Sequence, residues 1–327
     1  MSNKIQTELL KCNDNNIKKA SEYLKQGHLV VFPTETVFGI GGDAFSDKAI
    51  KKIFKVKKRP IFNPLIVHIK DKDSIEDNAI INKKAEILIN YFMPGPLTLI
   101  LPINKKSKIS KFVTAGLNTI ALRVPSHKII KSILEEFGRP IAAPSANISG
   151  KPSSTRANDA YNAFKGLIPC IMENKDAQIG LESTVVGFYE GNPVLLRYGA
   201  LEVEKIQDIL GEKVLIRNSI KKTEKVLSPG QTLRHYSPVA TIRLNAVKAK
   251  KNEVFMGFGK LPENVLGKNL SENRDLSEAA SNLYSTLIDL DELCFKSNKT
   301  QIAVASIPNI GIGKTINDRL KKASNKN

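Results

Sequence analysis

The sequence predicts an α/β protein in two parts, a first domain built around a mostly buried sheet and a second, smaller α/β domain. Three features predict it. Short apolar runs of strand length alternate with helical patterns through the first 215 residues. The stretch Arg217 to Pro238 lacks a sustained apolar period and contains Ser228-Pro-Gly230 and Ser237-Pro238, as a linker does. Beyond it the alternation resumes over a shorter span. At 327 residues, 41% of them hydrophobic, the chain has material for more than one core, and the expected division is 1–216, a linker at 217–238, and 239–327.

Taken in order, His28 to Phe32 reads as a buried strand stopped by Pro33, and Asp47 to Lys58 as a helix with Ala49, Ile50, Ile53 and Phe54 on one face. Leu65 to Ile69, Leu97 to Leu101 and Thr119 to Val124 are strands. Ser126 to Phe137 is the clearest helix, with Ile129, Ile130, Ile133, Leu134 and Phe137 forming a stripe at helical spacing. Pro140 to Ala143, Ser183 to Tyr189 and Val194 to Arg197 complete the first set of strands. In the second part, Thr241 to Leu244, Val254 to Phe258 and Ile302 to Ile307 are strands, Leu276 to Phe295 is a long helix, and another helix follows Thr315.

Composition excludes several classes. The longest apolar stretches fall far short of the roughly 20 residues that cross a bilayer, so no membrane association is expected. Met1 to Asp14 is polar throughout and reads as no secretory signal. Cys12, Cys170 and Cys294 are isolated and odd in number, which argues against a disulfide framework and for a reducing cytoplasm. His28, His68, His127 and His235 are scattered and suggest no zinc site.

Fifty Lys+Arg against 32 Asp+Glu give a net charge of +18, which brings acidic partners to mind. The excess is spread evenly and consists of 40 Lys to 10 Arg, the pattern of lysines decorating solvated faces. Against that background Arg59, Arg123, Arg197 and Arg234 stand out, because a planar fork is needed where a point charge will not serve.

Candidate chemistry lies in loops at strand ends. Pro33-Thr-Glu-Thr-Val-Phe-Gly-Ile-Gly41 offers two hydroxyls, a carboxylate and glycines that allow close backbone approach. Lys57-Lys-Arg59-Pro60 ends a helix and Asn63-Pro-Leu-Ile-Val-His68 enters the next strand. Ala143-Pro-Ser145-Ala-Asn147-Ile-Ser149-Gly-Lys-Pro-Ser153 and Gly180-Leu-Glu-Ser183-Thr184 are polar loops beside buried strands. Together these suggest a pocket for polyphosphate and an amino acid, in which cations hold phosphate oxygens and short hydroxyl and amide side chains orient the ligand. No Ser-His-Asp order competes. A phosphate-loop-like run, Pro308-Asn-Ile-Gly-Ile-Gly-Lys-Thr315, has Pro where the first Gly is required; it reads as a turn into a helix capped by Thr315, with Asp318 approximating a capping box.

At these residues a resemblance becomes specific. Pro33-Thr-Glu-Thr-Val-Phe-Gly, Lys57-x-Arg59-Pro60, Asn63-Pro-Leu-Ile-Val-His68, Pro94-Gly-Pro-Leu-Thr98, Ser145-x-Asn147 and Glu182-Ser-Thr-Val185 resemble the YrdC-like domain of threonylcarbamoyl-adenylate synthases. The Arg234-His-Tyr-Ser-Pro238 linker and the second domain resemble the two-domain members of that family, and the match covers nearly the whole chain. It implies a twisted mixed sheet with flanking helices and a small Rossmann-like C-terminal domain. It also implies a reaction: L-threonine, bicarbonate and ATP give threonylcarbamoyl-AMP and pyrophosphate, for modification of the adenosine beside the anticodon of tRNAs.

Carried over by that similarity, Lys57 and Arg59 are the catalytic cations, and with Asn63, Thr119, Ser145, Asn147, Ser153 and Arg197 they hold the nucleotide. Thr36, His68, Arg123, the backbone of Ala143, and Ser183 hold threonine, with Arg123 on its carboxylate. Tyr236, with His235 beside it, brings the linker over the nucleotide as a lid that excludes water. Mg²⁺ is expected to arrive on the ATP phosphates, and tRNA or a threonylcarbamoyl-transferase protein is a candidate partner. Three departures stand out: Phe38 for a usual Tyr, Met93 for a common Trp, and Tyr198 where Pro is frequent. Two rivals remain on sequence grounds. One is a non-catalytic RNA-binding protein with a basic concave surface, against which stand the 6% aromatic content and absence of Trp. The other is carbamoyl transfer onto a protein target, which would need further domains and Cys-rich segments.

Overall fold

A computed structural model describes residues 5–174, 177–217 and 236–325. The first part runs β1 (Glu8–Lys11), α1 (Asp14–Lys25), β2 (Val30–Phe32), β3 (Gly39–Asp43), α2 (Asp47–Lys57), β4 (Ile66–His68), α3 (Lys83–Phe92), β5 (Leu97–Pro102), β6 (Thr119–Arg123), α4 (Lys128–Phe137), β7 (Ile141–Ala142), α5 (Ala157–Phe164), β8 (Cys170–Glu173), β9 (Thr184–Tyr189), β10 (Asn192–Arg197), α6 (Val203–Leu210) and β11 (Leu215–Ile216). These strands form one mixed sheet in the order β1-β8-β2-β3-β7-β4-β6-β5-β9-β10-β11. The second part adds β12 (Thr241–Arg243), β13 (Glu253–Gly257), β14 (Gly267–Asn269), α7 (Leu276–Lys296), β15 (Gln301–Val304) and α8 (Gly313–Ser324). Its four strands are all parallel, in the order β12-β15-β13-β14.

Each strand and helix expected from apolar patterning is present, with ends shifted by a few residues as fraying and capping dictate. Ser46 caps α2 by accepting from Ala49 N, and Asn82 caps α3 in the same way. His127 caps α4: its Nδ1 accepts from Ile129 N at 3.2 Å and its Nε2 lies 2.9 Å from Asn174 Nδ2, so this histidine serves the fold. The Gly39–Gly41 run, expected as loop, is strand β3. Glycine is required there by packing, since a Cβ on Gly41 would lie 2.5 Å from Ile141 Cγ2 and 2.6 Å from Phe32 Cε1.

The phosphate-loop look-alike is corrected in one respect. Helix α8 begins at Gly313 after Ile312, so Thr315 lies inside the helix and does not cap it. Its hydroxyl instead donates to the Gly199 carbonyl at 2.9 Å, tying α8 to the first part. One hydrophobic core lies on the face of the large sheet covered by α2, α3, α5 and α6, and a second lies under α1 and α4. The core of the second part extends into the first by enclosing Val37, Leu181 and Tyr236.

The two parts also meet at backbone level. Gly180 has φ +75°, and a Cβ there would lie 2.5 Å from Ser281 Cα and 2.6 Å from the Ala280 and Ser281 carbonyl oxygens of α7. Gly180→Ala is therefore expected to lower unfolding free energy by about 1–3 kcal/mol through both strain and displacement of α7. Urea unfolding checks it; an unchanged midpoint would mean that α7 is not seated there.

Candidate active site

The functional loops converge because of strand register. In the parallel pair β4 and β6, His68 stands opposite Arg123, and in the antiparallel pair β4 and β7, His68 stands opposite Ile141. Three neighbouring strands thus bring His68, Arg123 and the Ala143 that follows β7 to one place, with His68 and Arg123 at carboxyl ends of parallel strands, where open α/β sheets gather ligands. The loop after β2 closes over them. Thr34 Oγ1 accepts from the N–H of Thr36 at 3.1 Å and of Val37 at 3.2 Å, a hydroxyl-stabilised turn that fixes Thr36.

Thr36 Oγ1 accepts from Arg123 Nη1 at 3.0 Å, and Arg123 Nε donates to the Gly95 carbonyl at 3.2 Å. Arg123 Nη2 is 2.7 Å from Glu35 Oε1, an ion pair by distance that is not aligned as a hydrogen bond. His68 is buried, with no hydrogen-bond partner for its Nδ1 among the described residues, and burial together with the Arg123 charge pushes its pKa down to about 3. It is a neutral imidazole at physiological pH. The Ala143 N–H is spent on the Ile66 carbonyl at 2.9 Å, so the polar backbone group it can offer is its carbonyl.

On the opposite wall, Ser183 Oγ lies 2.7 Å from Thr98 Oγ1, and Arg197 donates Nε and Nη2 to the Ser183 carbonyl at 3.1 and 2.8 Å and Nη2 to its hydroxyl at 3.1 Å. Arg197 ends β10 just after a bulge in its pairing with β9. Arg59 arrives through the end of α2. Lys58 adopts a left-handed conformation at φ 53°, and the Arg59 N–H closes back on the Phe54 carbonyl at 2.9 Å, so Lys58 is exposed while Lys57 and Arg59 turn inward.

Arg59 donates to the Asn63 and Pro64 carbonyls at 3.2 and 2.9 Å and, among the described residues, has no carboxylate in ion-pair reach. Burial and repulsion from Arg197 lower its pKa to about 9, still well above neutrality. Arg59 and Arg197 thus set two forks in one cavity, and the Glu182 carboxylate that lines it with them is itself engaged by Arg319 and Ser153, an arrangement suited to an anion.

The cavity is small, about 50 Å³, and its lining includes Thr36, His68, Arg123, Ala143 and Ser183 together with Arg59, Ser145, Arg197, Glu182 and Tyr236. All five residues expected to hold threonine therefore share one cavity, together with four of those expected to hold nucleotide. The others lie outside the lining. Lys57 Nζ is buried and donates to the carbonyls of Ser145, at 2.5 Å, and Asn147; burial first, then Arg59, lowers its pKa well below the usual value.

Its place in the structure is as the anchor of the Ser145 loop. Asn147 accepts from Ser145 Oγ at 2.5 Å and braces that loop through the Ile148 and Lys151 carbonyls, both at 2.8 Å. Ser153 Oγ donates to Glu182 Oε1 at 2.6 Å. Asn63 is buried, its Oδ1 without a hydrogen-bond partner among the described residues, and Thr119 opens β6, four residues before Arg123. His235 lies outside the described residues.

Three charged residues in or behind the cavity lining carry no role in the sequence reading, and only Glu182 of them lines it. Glu35 and Glu182 stood inside quoted motifs, and each pairs with an arginine. Burial alone would raise the pKa of Glu182, but the charges of Arg319 and Arg197 and the Ser153 hydrogen bond outweigh it and bring it down to about 2. The third, Arg319 of α8, is fully buried. Its signal was an Arg in a Lys-rich helix.

A family model described as "Telomere recombination" matches residues 22–199, and one described as "Threonylcarbamoyl-AMP synthase, C-terminal domain" matches 201–325. The chain belongs to the threonylcarbamoyl-AMP synthase family. Members from Pyrococcus abyssi and Bacillus subtilis are each 38% identical to it, over 94% and 97% of this chain and 94% and 95% of theirs. The crystal structure of Pyrococcus abyssi Sua5 complexed with L-threonine superposes with a TM-score of 0.88 at 34% identity, covering 97% of both chains. Membership in this synthase family confirms the resemblance of the motifs and the α/β fold in both parts.

The neutral state of His68 gives a direct expectation. Its folded pKa, about 3, lies below its unfolded value of 6.5, so its contribution to stability is complete above pH 6.5 and is lost as pH falls through this window toward 3. The His68 ring resonances should show no titration between pH 8 and 5, and His68→Asn should flatten the acid limb of stability between pH 6.5 and 4. A His68 titration near pH 6.5 would contradict the burial described.

Proposed function

We propose that this chain makes L-threonylcarbamoyladenylate and pyrophosphate from L-threonine, bicarbonate and ATP, in the cytoplasm, in service of tRNA modification. The observation that carries the reading is the meeting of Arg59, Arg123 and Arg197 in one cavity with a neutral histidine and short hydroxyls. We take residues 1–216 as the catalytic domain, 217–238 as a linker that brings Tyr236 to the nucleotide, and 239–327 as an accessory domain. No helix among the described residues is long and apolar enough to cross a membrane, and the three cysteines are free thiols, in keeping with a reducing compartment.

Each group then has a task. The Arg123 fork binds the threonine carboxylate, and Thr36, Ser183 and the Ala143 carbonyl orient the rest of the amino acid. His68 is uncharged, so it accepts or donates one hydrogen bond without repelling the threonine ammonium. The ammonium first gives up a proton to solvent, and the free amine condenses with bicarbonate, losing water, to a carbamate; a carbamate oxygen attacks the α-phosphorus of ATP, and pyrophosphate leaves. The protein needs no nucleophile of its own, because positioning and charge neutralisation carry the reaction. Arg59 and Arg197 neutralise phosphate oxygens beside Ser145, while Lys57 and Asn147 hold that loop in shape.

The walls suit phosphate and not a bare cation, since the Glu182 carboxylate is already engaged by Arg319, Ser153 and Tyr284. Among the described residues no cluster of His, Cys, Asp and Glu forms a metal cage. Mg²⁺ is thus taken to ride on the ATP polyphosphate and to spread its charge when bound. The RNA-gripping alternative draws nothing from Arg59, Arg123 and Arg197, which are buried and line the cavity.

Pyrophosphate release from ATP and Mg²⁺ should require both threonine and bicarbonate. Arg59→Ala should lower kcat/KM for ATP by about 100-fold or more, the scale of a lost charge-assisted contact in a buried site. Arg123→Lys should raise KM for threonine more than KM for ATP, since an ammonium cannot reproduce the fork. Release that is indifferent to threonine would contradict the assignment.

A further inference from the structure

The wall carrying Glu182 is held from the far domain. Its carboxylate lines the cavity, yet it accepts from Tyr284 Oη at 3.0 and 2.9 Å and from Arg319 Nε at 2.9 Å, both in the second part of the chain, as well as from Ser153. Arg319 reaches two further wall elements. Its Nη2 donates to the Tyr198 carbonyl at 2.7 Å, directly after Arg197, and its guanidinium carbon lies 4.9 Å from the centre of the Tyr236 ring. Tyr236 also stacks on Tyr284, with centroids 5.4 Å apart and planes at 27°.

One buried fork therefore touches the strand entry bearing Glu182 and Ser183, the strand exit bearing Arg197, and the end of the linker. Asp318, next in sequence, accepts from Arg319 Nη1 at 2.5 Å and from Lys322 at 2.9 Å, which holds the fork in place on α8.

We propose that Arg319 is a positioning residue for the nucleotide half of the active site, so that docking of the C-terminal domain completes the site that binds ATP. Arg319 touches no substrate; it acts through Glu182, the Tyr198 backbone and Tyr236. This rests on the functional reading above. A planar fork is needed for the role, because its Nε serves Glu182 while its Nη2 serves the Tyr198 carbonyl, and a lysine has one ammonium for both.

The consequence separates this residue from other contacts between the parts. Lys314 of α8 pairs with Glu204 of α6, a link between the same two bodies that touches no residue of the cavity wall. Arg319 and Lys314 are alike in joining the domains and unlike in what they hold.

The test compares Arg319→Lys, Arg319→Gln, the charge-balanced double variant Glu182→Gln with Arg319→Gln, and Lys314→Ala, all in the full chain. Pyrophosphate release gives KM for ATP, KM for threonine and kcat; calorimetry with Mg-ATP gives affinity without turnover, and thermal unfolding reports the fold. Arg319→Lys and Arg319→Gln should raise KM and Kd for ATP at least tenfold, with a smaller change in KM for threonine, whereas Lys314→Ala should lower Tm and leave both ATP constants within twofold of wild type.

If Arg319→Gln leaves Glu182 so exposed electrostatically that the chain does not fold, the double variant decides: it should fold and still bind ATP weakly. Wild-type ATP affinity in folded Arg319 variants, or equal losses in Lys314→Ala, would overturn the proposal. Wild-type protein lacking threonine-dependent pyrophosphate release would instead sink the functional reading, and the calorimetric arm would still decide the role of Arg319.

Discussion

Two buried guanidinium groups, Arg59 and Arg197, repel each other in the lining of one cavity, and the surrounding structure is organised to keep them there. Backbone carbonyls do much of this work: those of Asn63 and Pro64 for Arg59, and that of Ser183 for Arg197. Carbonyl dipoles satisfy the N–H donors without cancelling the charge, so the positive potential remains available to an incoming anion. A carboxylate in their place would have given a quieter core and a poorer phosphate site. The left-handed turn at Lys58 and the bulge before Arg197 both follow from aiming these side chains inward.

The same logic explains the acids that are present. Glu35 and Glu182 are each buried and paired with an arginine that has another task. Glu35 orients Arg123 from behind while leaving its fork turned to Thr36. Glu182 is saturated by Ser153, Tyr284 and Arg319, so it contributes shape and anchorage more than negative potential. Removing one member of such a buried set typically costs about 3–5 kcal/mol, because the other is stranded without water or partner. The stacked Tyr236 and Tyr284 rings add an aromatic contact of about 0.5–1.5 kcal/mol to the same junction.

Much of this was legible in the residues. Apolar stripes located helices such as Lys128–Phe137, and buried runs located Leu97–Pro102 and Thr184–Tyr189, because burial on one or both faces imposes a period on sequence. Strand β3 was not legible: its glycines argue against a strand by propensity, and only the crowding by Phe32 and Ile141 shows why they are needed. Strand β1 at the sheet edge and β8 beside it are four residues each, too short for a periodic signal. In the site, hydroxyls and arginines could be picked out by type, but not which of them face the cavity.

Lys57 and Asn147 illustrate that limit. Their spacing marks them as functional, and the structure adds contacts the spacing does not show: Lys57 donates to the Ser145 and Asn147 carbonyls, and Asn147 to those of Ile148 and Lys151. Arg319 was less accessible still, since its meaning depends on a contact with Glu182 across 137 positions of sequence. Local patterns report local packing, and a contact between two domains leaves no period behind.

The central claim is that one arginine-lined cavity joins a carbamate made from threonine and bicarbonate to the α-phosphate of ATP. Mass spectrometry of the products formed from ATP, Mg²⁺, L-threonine and ¹³C-bicarbonate tests it most directly. The account predicts an adenylate of threonine carrying one ¹³C at the carbamoyl carbon. Pyrophosphate without a labelled adenylate, or a threonyl adenylate lacking the carbamoyl carbon, would contradict it.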